Sequence, residues 1–406
     1  MTTVDSIPLP ARPSVPLWAL GALTLTGSLA MHIFVPALPS ASQALGVSAA
    51  GMQLTISVYI LGMAVGQLIY GPLSDRRGRR PVLLAALSLY VLAGLGCFFA
   101  PGLGWLVGAR LMQALGGCAG LVLGRAILRD TSATEEIASR LALLTMIMVV
   151  GPSLAPLAGG YITQFFGWRA IFLVLAVIGM LNLVSAVLVI PETRILAAKP
   201  GKVLDGMAAL LKLPQFRWLV LGGACATTSM YGVITAAPFI FETDLHRPAH
   251  EVGPWLALVV LAVAMGNFLV RLTVGRVPLR RMLVLANWVT LGAGLALLGV
   301  VLFVPLTAAI FIAPVFVFCI ATGVTSPIAT TEALSIRPEL AGAASGLYGF
   351  TQMMVAALCT VAVGLGGDPA LAAALVTAGV GALAMFAFRR AARHRDDGLR
   401  RLTPRG

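Results

Sequence analysis

The apolar positions of this chain fall into long unbroken stretches, not into the alternating pattern of strands or the heptads of a coiled coil. Twelve stretches have roughly the length of about 20 residues that a helix needs to cross hydrocarbon. They are Val15–Leu38, Met52–Tyr70, Val82–Ala100, Gly104–Leu128, Leu141–Thr163, Trp168–Ile190, Trp218–Phe241, Gly253–Val274, Met282–Val304, Leu306–Pro327, Ala341–Gly364 and Ala370–Phe388. The pattern predicts an all-α membrane protein of twelve transmembrane helices. Two divisions are thin: the ninth and tenth runs part only around Pro305, and the last two only at Gly366-Gly367-Asp368-Pro369.

The longest polar interruption after the N-terminus, Pro191–Gln215, holds Glu192, Arg194, Lys199, Lys202 and Lys212 and divides six runs from six. The expected organisation is an N-terminal tail over 1–14, a six-helix bundle over 15–190, a linker over 191–217, a second six-helix bundle over 218–388 and a basic tail over 389–406. Within the linker, Val203–Leu213 suits a short interfacial helix. The halves echo one another. Gly266-Asn267-Phe268-Leu269-Val270-Arg271, Gly275-Arg276 and Arg280-Arg281 stand where the first half has Gly71–Arg80, but without an Asp. A weak six-plus-six repeat suits a transporter whose binding site lies between two bundles.

Composition agrees. Of 406 residues, 59% are hydrophobic and 11% charged, where a soluble domain carries roughly 25% charged residues; the mean hydropathy is +0.96. The net charge of +13 raises nucleic acid as a partner, but the arginines sit in short loops between apolar runs. With the N-terminus cytoplasmic and every run crossing, all but Arg110, Arg169 and Arg247 among the 28 Lys and Arg fall in the cytoplasmic half. That is the positive-inside bias. It puts both termini in the cytoplasm and the basic tail against lipid headgroups, with no nucleic-acid partner. The first apolar run is longer than the roughly 7–15 residues of a signal peptide core. Cys97, Cys118, Cys225, Cys319 and Cys359 lie inside apolar runs without ligand spacing, so no metal is expected.

None of the fifteen Asp and Glu lies mid-span. His32 is the titratable exception: Thr24, Ser28 and His32 share one face of the first helix, and an ionisable group in a membrane helix is a functional candidate. Arg110 lies about two turns into the fourth run, with Gln113 one turn on and Gly116, Gly117 and Gly120 beyond. A buried Arg needs partners; its fixed charge would tune a nearby proton site or meet an anionic substrate. Further polar stripes are Thr55 and Tyr59, then Thr227, Tyr231 and Thr235, then Ser345, Tyr348 and Gln352. With Met63, Met146, Met148, Met230, Met353 and Met354 nearby, they suit a cavity for an amphipathic ligand. Plainer roles stay open: a hydrogen-bonded His, an Arg bonded to backbone, and stripes that merely pack. No phosphate-binding loop, nucleophile elbow or zinc pattern occurs, so neither an enzyme nor an ATP drive is expected.

The densest charge cluster is Gly71-Pro72-Leu73-Ser74-Asp75-Arg76-Arg77-Gly78-Arg79-Arg80-Pro81. So many arginines cannot stay in hydrocarbon, which makes this a tight turn at a membrane surface, either orienting the chain or joining two moving helices. Its order resembles the signature loop of the major facilitator superfamily. Arg110-Leu111-Met112-Gln113-Ala114-Leu115-Gly116 resembles the family's fourth-helix motif, whose Arg is associated with proton coupling. Gly151, Pro156, Gly159 and Gly160 match its fifth-helix antiporter motif, with Ala155 in place of one Gly. Val35-Pro36-Ala37-Leu38-Pro39, Gln53-Leu54-Thr55, Gly66–Arg76, Arg129-Asp130 and Gly167-Trp168-Arg169-Ala170-Ile171-Phe172 resemble the Bcr/CflA drug-resistance branch. Many members of that branch carry Asp where this chain has His32.

The resemblance implies a proton-driven exporter of small amphipathic compounds in a bacterial inner membrane, with no cofactor and functional as a monomer. Gly71, Asp75, Arg76, Gly78, Arg79 and Arg80 would gate it, Asp75 by pairing with a nearby Arg and a facing helix end. His32, Arg110 and Gln113 would carry proton or substrate. Ser28, Thr55, Tyr59, Thr227, Tyr231, Thr235, Tyr348 and Gln352 would line the cavity. The rival readings are a transporter of one metabolite or metal chelate, and a receptor-like protein that no longer transports.

Overall fold

In hydrocarbon a backbone must satisfy its own N–H and C=O groups, which makes long apolar runs helical. The computed structural model describes residues 15–132, 134–193, 202–247 and 251–402; the expected tail 1–14 and linker residues 194–201 lie outside the described residues. The helices are α1 (Leu17–His32), α2 (Leu38–Leu45), α3 (Ala49–Arg77), α4 (Arg79–Phe98), α5 (Leu103–Thr131), α6 (Thr134–Phe166), α7 (Trp168–Val189), α8 (Lys202–Leu211), α9 (Pro214–Thr228), α10 (Met230–Thr243), α11 (Val252–Thr273), α12 (Leu279–Phe303), α13 (Ala308–Ser335), α14 (Ala341–Gly364) and α15 (Pro369–Leu402). Among the described residues, eleven helical segments are long and apolar enough to cross a membrane. α6, 33 residues long, stands where the fifth apolar run lies.

The helices overrun the apolar runs. α3 has 29 residues, about 43 Å at 1.5 Å each, while hydrocarbon is only about 30 Å thick. Its last two turns therefore stand clear of lipid, where arginines are good helix formers. Gly71–Arg77, expected as a turn, is helix, and the break is Gly78 alone. The basic tail likewise continues as helix to Leu402. The first run is interrupted after His32 and resumes through α2, and the seventh is interrupted at Ser229.

In the first bundle α1 lies on α5 and α6, α5 also carries α3 and α4, and α7 packs on α4. In the second, α9 contacts α13, α14 and α15, while α13 and α15 both carry α12. The bundles meet where α3 lies along α14 and α6 along α11. Small residues permit the tightest crossings. A Cβ on Gly120 would lie 2.1 Å from the Leu23 carbonyl oxygen, and one on Gly266 the same distance from that of Ile320. Buried threonines do not oppose this packing, since their hydroxyls donate to carbonyls of their own helix, as Thr24, Thr227, Thr235 and Thr377 do.

Candidate functional site

His32 ends α1, is 6% exposed and faces the other bundle: its ring centroid lies 6.0 Å from that of Tyr231 on α10. Its Nδ1 is 2.8 Å from the Ser28 carbonyl oxygen. Donation there leaves Nε2 as the lone-pair nitrogen able to accept a proton. The helix break at Ser229 falls two residues before Tyr231, and the buried Ser229 hydroxyl has no protein partner. Interrupted helices of this kind mark binding sites in transporters.

Arg110 is fully buried inside the first bundle. Its Nη1 donates to the Ala30 carbonyl at 3.2 Å and to Gln113 Oε1 at 2.8 Å. The guanidinium carbon lies 4.0 Å from the Tyr59 ring centroid and 5.4 and 5.7 Å from those of Phe34 and Phe172. Among the described residues, Nε and Nη2 have no hydrogen-bond partner and no carboxylate pairs with the charge. Arg110 and His32 are thus not bonded to each other: one is packed among α1, α3 and α7, the other looks toward α10.

The expected cavity residues divide. Tyr59 is fully buried within its own bundle, its hydroxyl donating to the Gly27 carbonyl at 2.8 Å and its ring beneath Arg110. Thr55, also fully buried, donates to Met52. The spacing had put these two on one face; that face turns inward, because α1 and α5 cover it. Ser28 and Tyr231 remain part-buried beside His32. In the second bundle Gln352 Nε2 donates to Thr227 Oγ1 at 3.0 Å, which joins two of the stripes, Thr235 is fully buried, and Tyr348 packs against Gly223.

At the face opposite the arginines the bundles are latched. Ser57 and Thr360 hydroxyls are 2.7 Å apart across α3 and α14, and Gln43 Nε2 donates to Glu242 at 2.5 Å. In the antiporter-like stretch of α6 the glycines pack on α1 within the first bundle, and Pro156 faces α11 of the second. A Cβ on Gly159 would lie 1.8 Å from the Ile33 carbonyl oxygen, one on Gly151 would lie 2.4 Å from Leu25, and the Pro156 carbonyl meets Gly253 of α11. Gly160 is buried there too. Removing the Ser57 and Thr360 hydroxyls together is expected to weaken the latch by about 1 kcal/mol, a factor of about five in opening. Labelling by an impermeant maleimide of Gln53→Cys, a buried position on the same seam, should rise accordingly; the five native cysteines are buried.

At the basic face Gly78 has φ +99°, a conformation side chains disfavour, and a Cβ there would meet the Glu192 carboxylate at 2.5 Å. Glu192 accepts from the Arg79 and Arg80 backbone N–H groups at 2.9 and 3.2 Å, capping α4 with an anion. The Arg79 guanidinium reaches Asp75 at 2.6 Å, Asp130 at 3.2 Å and the Ser74 hydroxyl at 2.5 Å. Arg80 donates to the Val187 carbonyl at 2.8 Å, and Arg76 is exposed. One cluster therefore ties α3, α4, α5 and the end of α7.

A family model described as Major Facilitator Superfamily matches residues 20–360. The chain belongs to that superfamily. It is 30% identical over 354 residues to Multidrug resistance protein D of Escherichia coli (strain K12), covering 83% of this chain and 85% of the relative. It is 28% identical over 349 residues to a Bicyclomycin resistance protein homolog of Haemophilus influenzae, covering 84% and 86%. These are Bcr/CflA-type relatives. A bacterial homologue of the human lysosomal transporter Spinster, solved inward-facing and occupied, shares the fold at 16% identity with a TM-score of 0.71 over 93% of this chain and 95% of that one. The protein is accordingly a multi-pass membrane transporter of small molecules and not an enzyme.

For this facilitator the sequence reading missed Asp130 and Glu192 as members of the Arg79 cluster, since both lie far along the chain from it. Glu192 had no signal beyond being acidic at a helix end on the basic face, while Asp130 also stood in the Arg129-Asp130 pair of the family resemblance. Arg79→Gln would leave Asp75 and Asp130 facing one another without a cation. The loss is expected to be about 2 kcal/mol, between the values for exposed and buried pairs. Thermal unfolding in detergent reads it, and adding Asp75→Asn should recover part of the lost melting temperature.

Proposed function

We propose that this facilitator is a proton-driven exporter of small amphipathic compounds that works by alternating access. The observation that carries the reading is His32, an imidazole of one bundle set against Tyr231 of the other. A proton taken at Nε2 changes the charge at the interface that must open and close. Arg110 holds a fixed positive charge within the same bundle, and Gln113 orients it. The latch at Ser57 and Thr360 and the α6–α11 seam close one mouth; the cluster of Asp75, Arg79, Asp130 and Glu192 steadies the other. The resistance proteins to which the chain is similar support drug-like substrates, and the arginine distribution supports a bacterial inner membrane with both termini cytoplasmic. The bundles would be 15–190 and 218–388, the proton gradient the energy source, and the monomer the working unit.

The test is the purified protein in liposomes carrying an internal pH dye, challenged with a panel of amphipathic antibiotics. Substrate-triggered proton movement with several of them is expected. Movement with one metabolite alone, or with none, would overturn the reading.

A further inference from the structure

We propose that the basic face of the second bundle holds a binding site for the headgroup of an anionic phospholipid. A cavity of about 420 Å³ opens between the ends of α9, α12, α13 and α15. It lies away from the bundle interface and shares no residue with the transport site. Its charged lining is Arg280, Arg389 and Arg393 against Glu332 alone, a surplus of positive charge that selects an anion.

Three further features point to a phosphate group. Arg389 is stacked on Trp288, with the guanidinium carbon 5.6 Å from the ring centroid, which holds one cation at the rim. α9 and α12 both start at the cavity, with Gln215 and Arg280 in their first turns lining it, and neither start is capped by a side chain. Their dipoles favour an anion. Independently, Asn287 lines the cavity while only 2% exposed. Its Oδ1 has no partner, and its Nδ2 reaches only the Met385 sulfur at 3.9 Å. A buried amide oxygen left open needs a donor, and the hydroxyls of a glycerol headgroup supply one.

The apolar wall decides between a lipid and a free anion. Leu283, Val284, Met385 and Phe388 line the same cavity. It runs out onto Leu285, Val289 and Phe386, which are 63%, 44% and 46% exposed on the outside of the bundle. That surface offers a track for an acyl chain. Inorganic phosphate would use the arginines and nothing else.

The experiment is native mass spectrometry and thermal unfolding of the delipidated full-length protein, with phosphatidylglycerol, phosphatidylcholine or inorganic phosphate added. One phosphatidylglycerol is expected to be retained per chain, with a rise in melting temperature. Phosphatidylcholine should be retained at least about tenfold less. Arg389→Gln with Arg393→Gln removes two exposed charges, one of them stacked on Trp288, and should abolish both retention and shift. Asn287→Leu should weaken both by removing the amide that the headgroup hydroxyls would bond. Arg276→Gln, an exposed charge just past the end of α11 and outside the cavity, should behave as wild type. Equal retention of phosphatidylcholine, unchanged retention in the double arginine variant, or an equal thermal shift from inorganic phosphate would overturn the lipid site.

Discussion

Drug-driven proton movement by the His32→Ala protein is expected to fall by about two orders of magnitude, the scale on which losing a proton-transferring side chain is felt. The fold should survive. Ala is the best helix former, and the substitution removes one hydrogen bond, the one from Nδ1 to the Ser28 carbonyl of the same helix. Together with lost contact to Tyr231, that is about 1–2 kcal/mol. His32→Asp keeps an ionisable group at the bundle interface and should restore transport. Its pH profile should differ from wild type, because a carboxyl is charged when deprotonated and an imidazole when protonated. Tyr231→Phe keeps the ring contact and should change little. Proteoliposome flux from pH 5.5 to 8 for the four proteins separates the roles. Unchanged transport and an unchanged profile in His32→Ala would reduce His32 to a packing residue.

The twelve crossings were legible because hydrocarbon imposes one requirement, length without charge, that a single sequence displays. Their ends were not. The apolar run marks where lipid stops, whereas α3 and α15 continue through Arg77 and Leu402 because arginine and alanine are both good helix formers in water. Site residues followed the same division. The period of the helix put Thr55 with Tyr59 and Ser28 with His32, but not which neighbour each face would meet. Tyr59 therefore proved to be the platform under Arg110, while His32 met Tyr231, almost 200 positions away in the chain. The break at Ser229 has no Gly or Pro to announce it, and it arises where α9 turns to present Tyr231. Glu192 capping α4 was hidden for the same reason: a cap contributed from a distant segment has no local spacing.

Replacing Arg110 by Met together with Gln113 by Leu is expected to leave the protein at least as stable as wild type and unable to transport. The stability half follows from magnitudes. Burying a cation without a carboxylate costs several kcal/mol. Against this stand charged hydrogen bonds to Ala30 and Gln113, worth about 1.5–3 kcal/mol each, and stacking on Tyr59 worth about 2 kcal/mol. The sums nearly cancel, and Nε and Nη2 remain without partners. Met fills most of the same space with no charge to desolvate, and Leu at 113 avoids stranding the amide that Arg110 now occupies. A residue retained only for stability would make the double variant melt lower and lose transport in proportion. A residue retained for its charge makes the two readouts diverge, with melting temperature kept and transport gone. Arg110→Lys keeps the charge but not the fork, and places a compact ammonium where a planar group lies flat on Tyr59. Its transport should therefore fall between wild type and the double variant, by about tenfold, the effect of losing one well-placed hydrogen bond to a charged group. Full transport by the double variant would remove Arg110 from the coupling mechanism, leaving His32 as the sole titratable member of the proposed proton path.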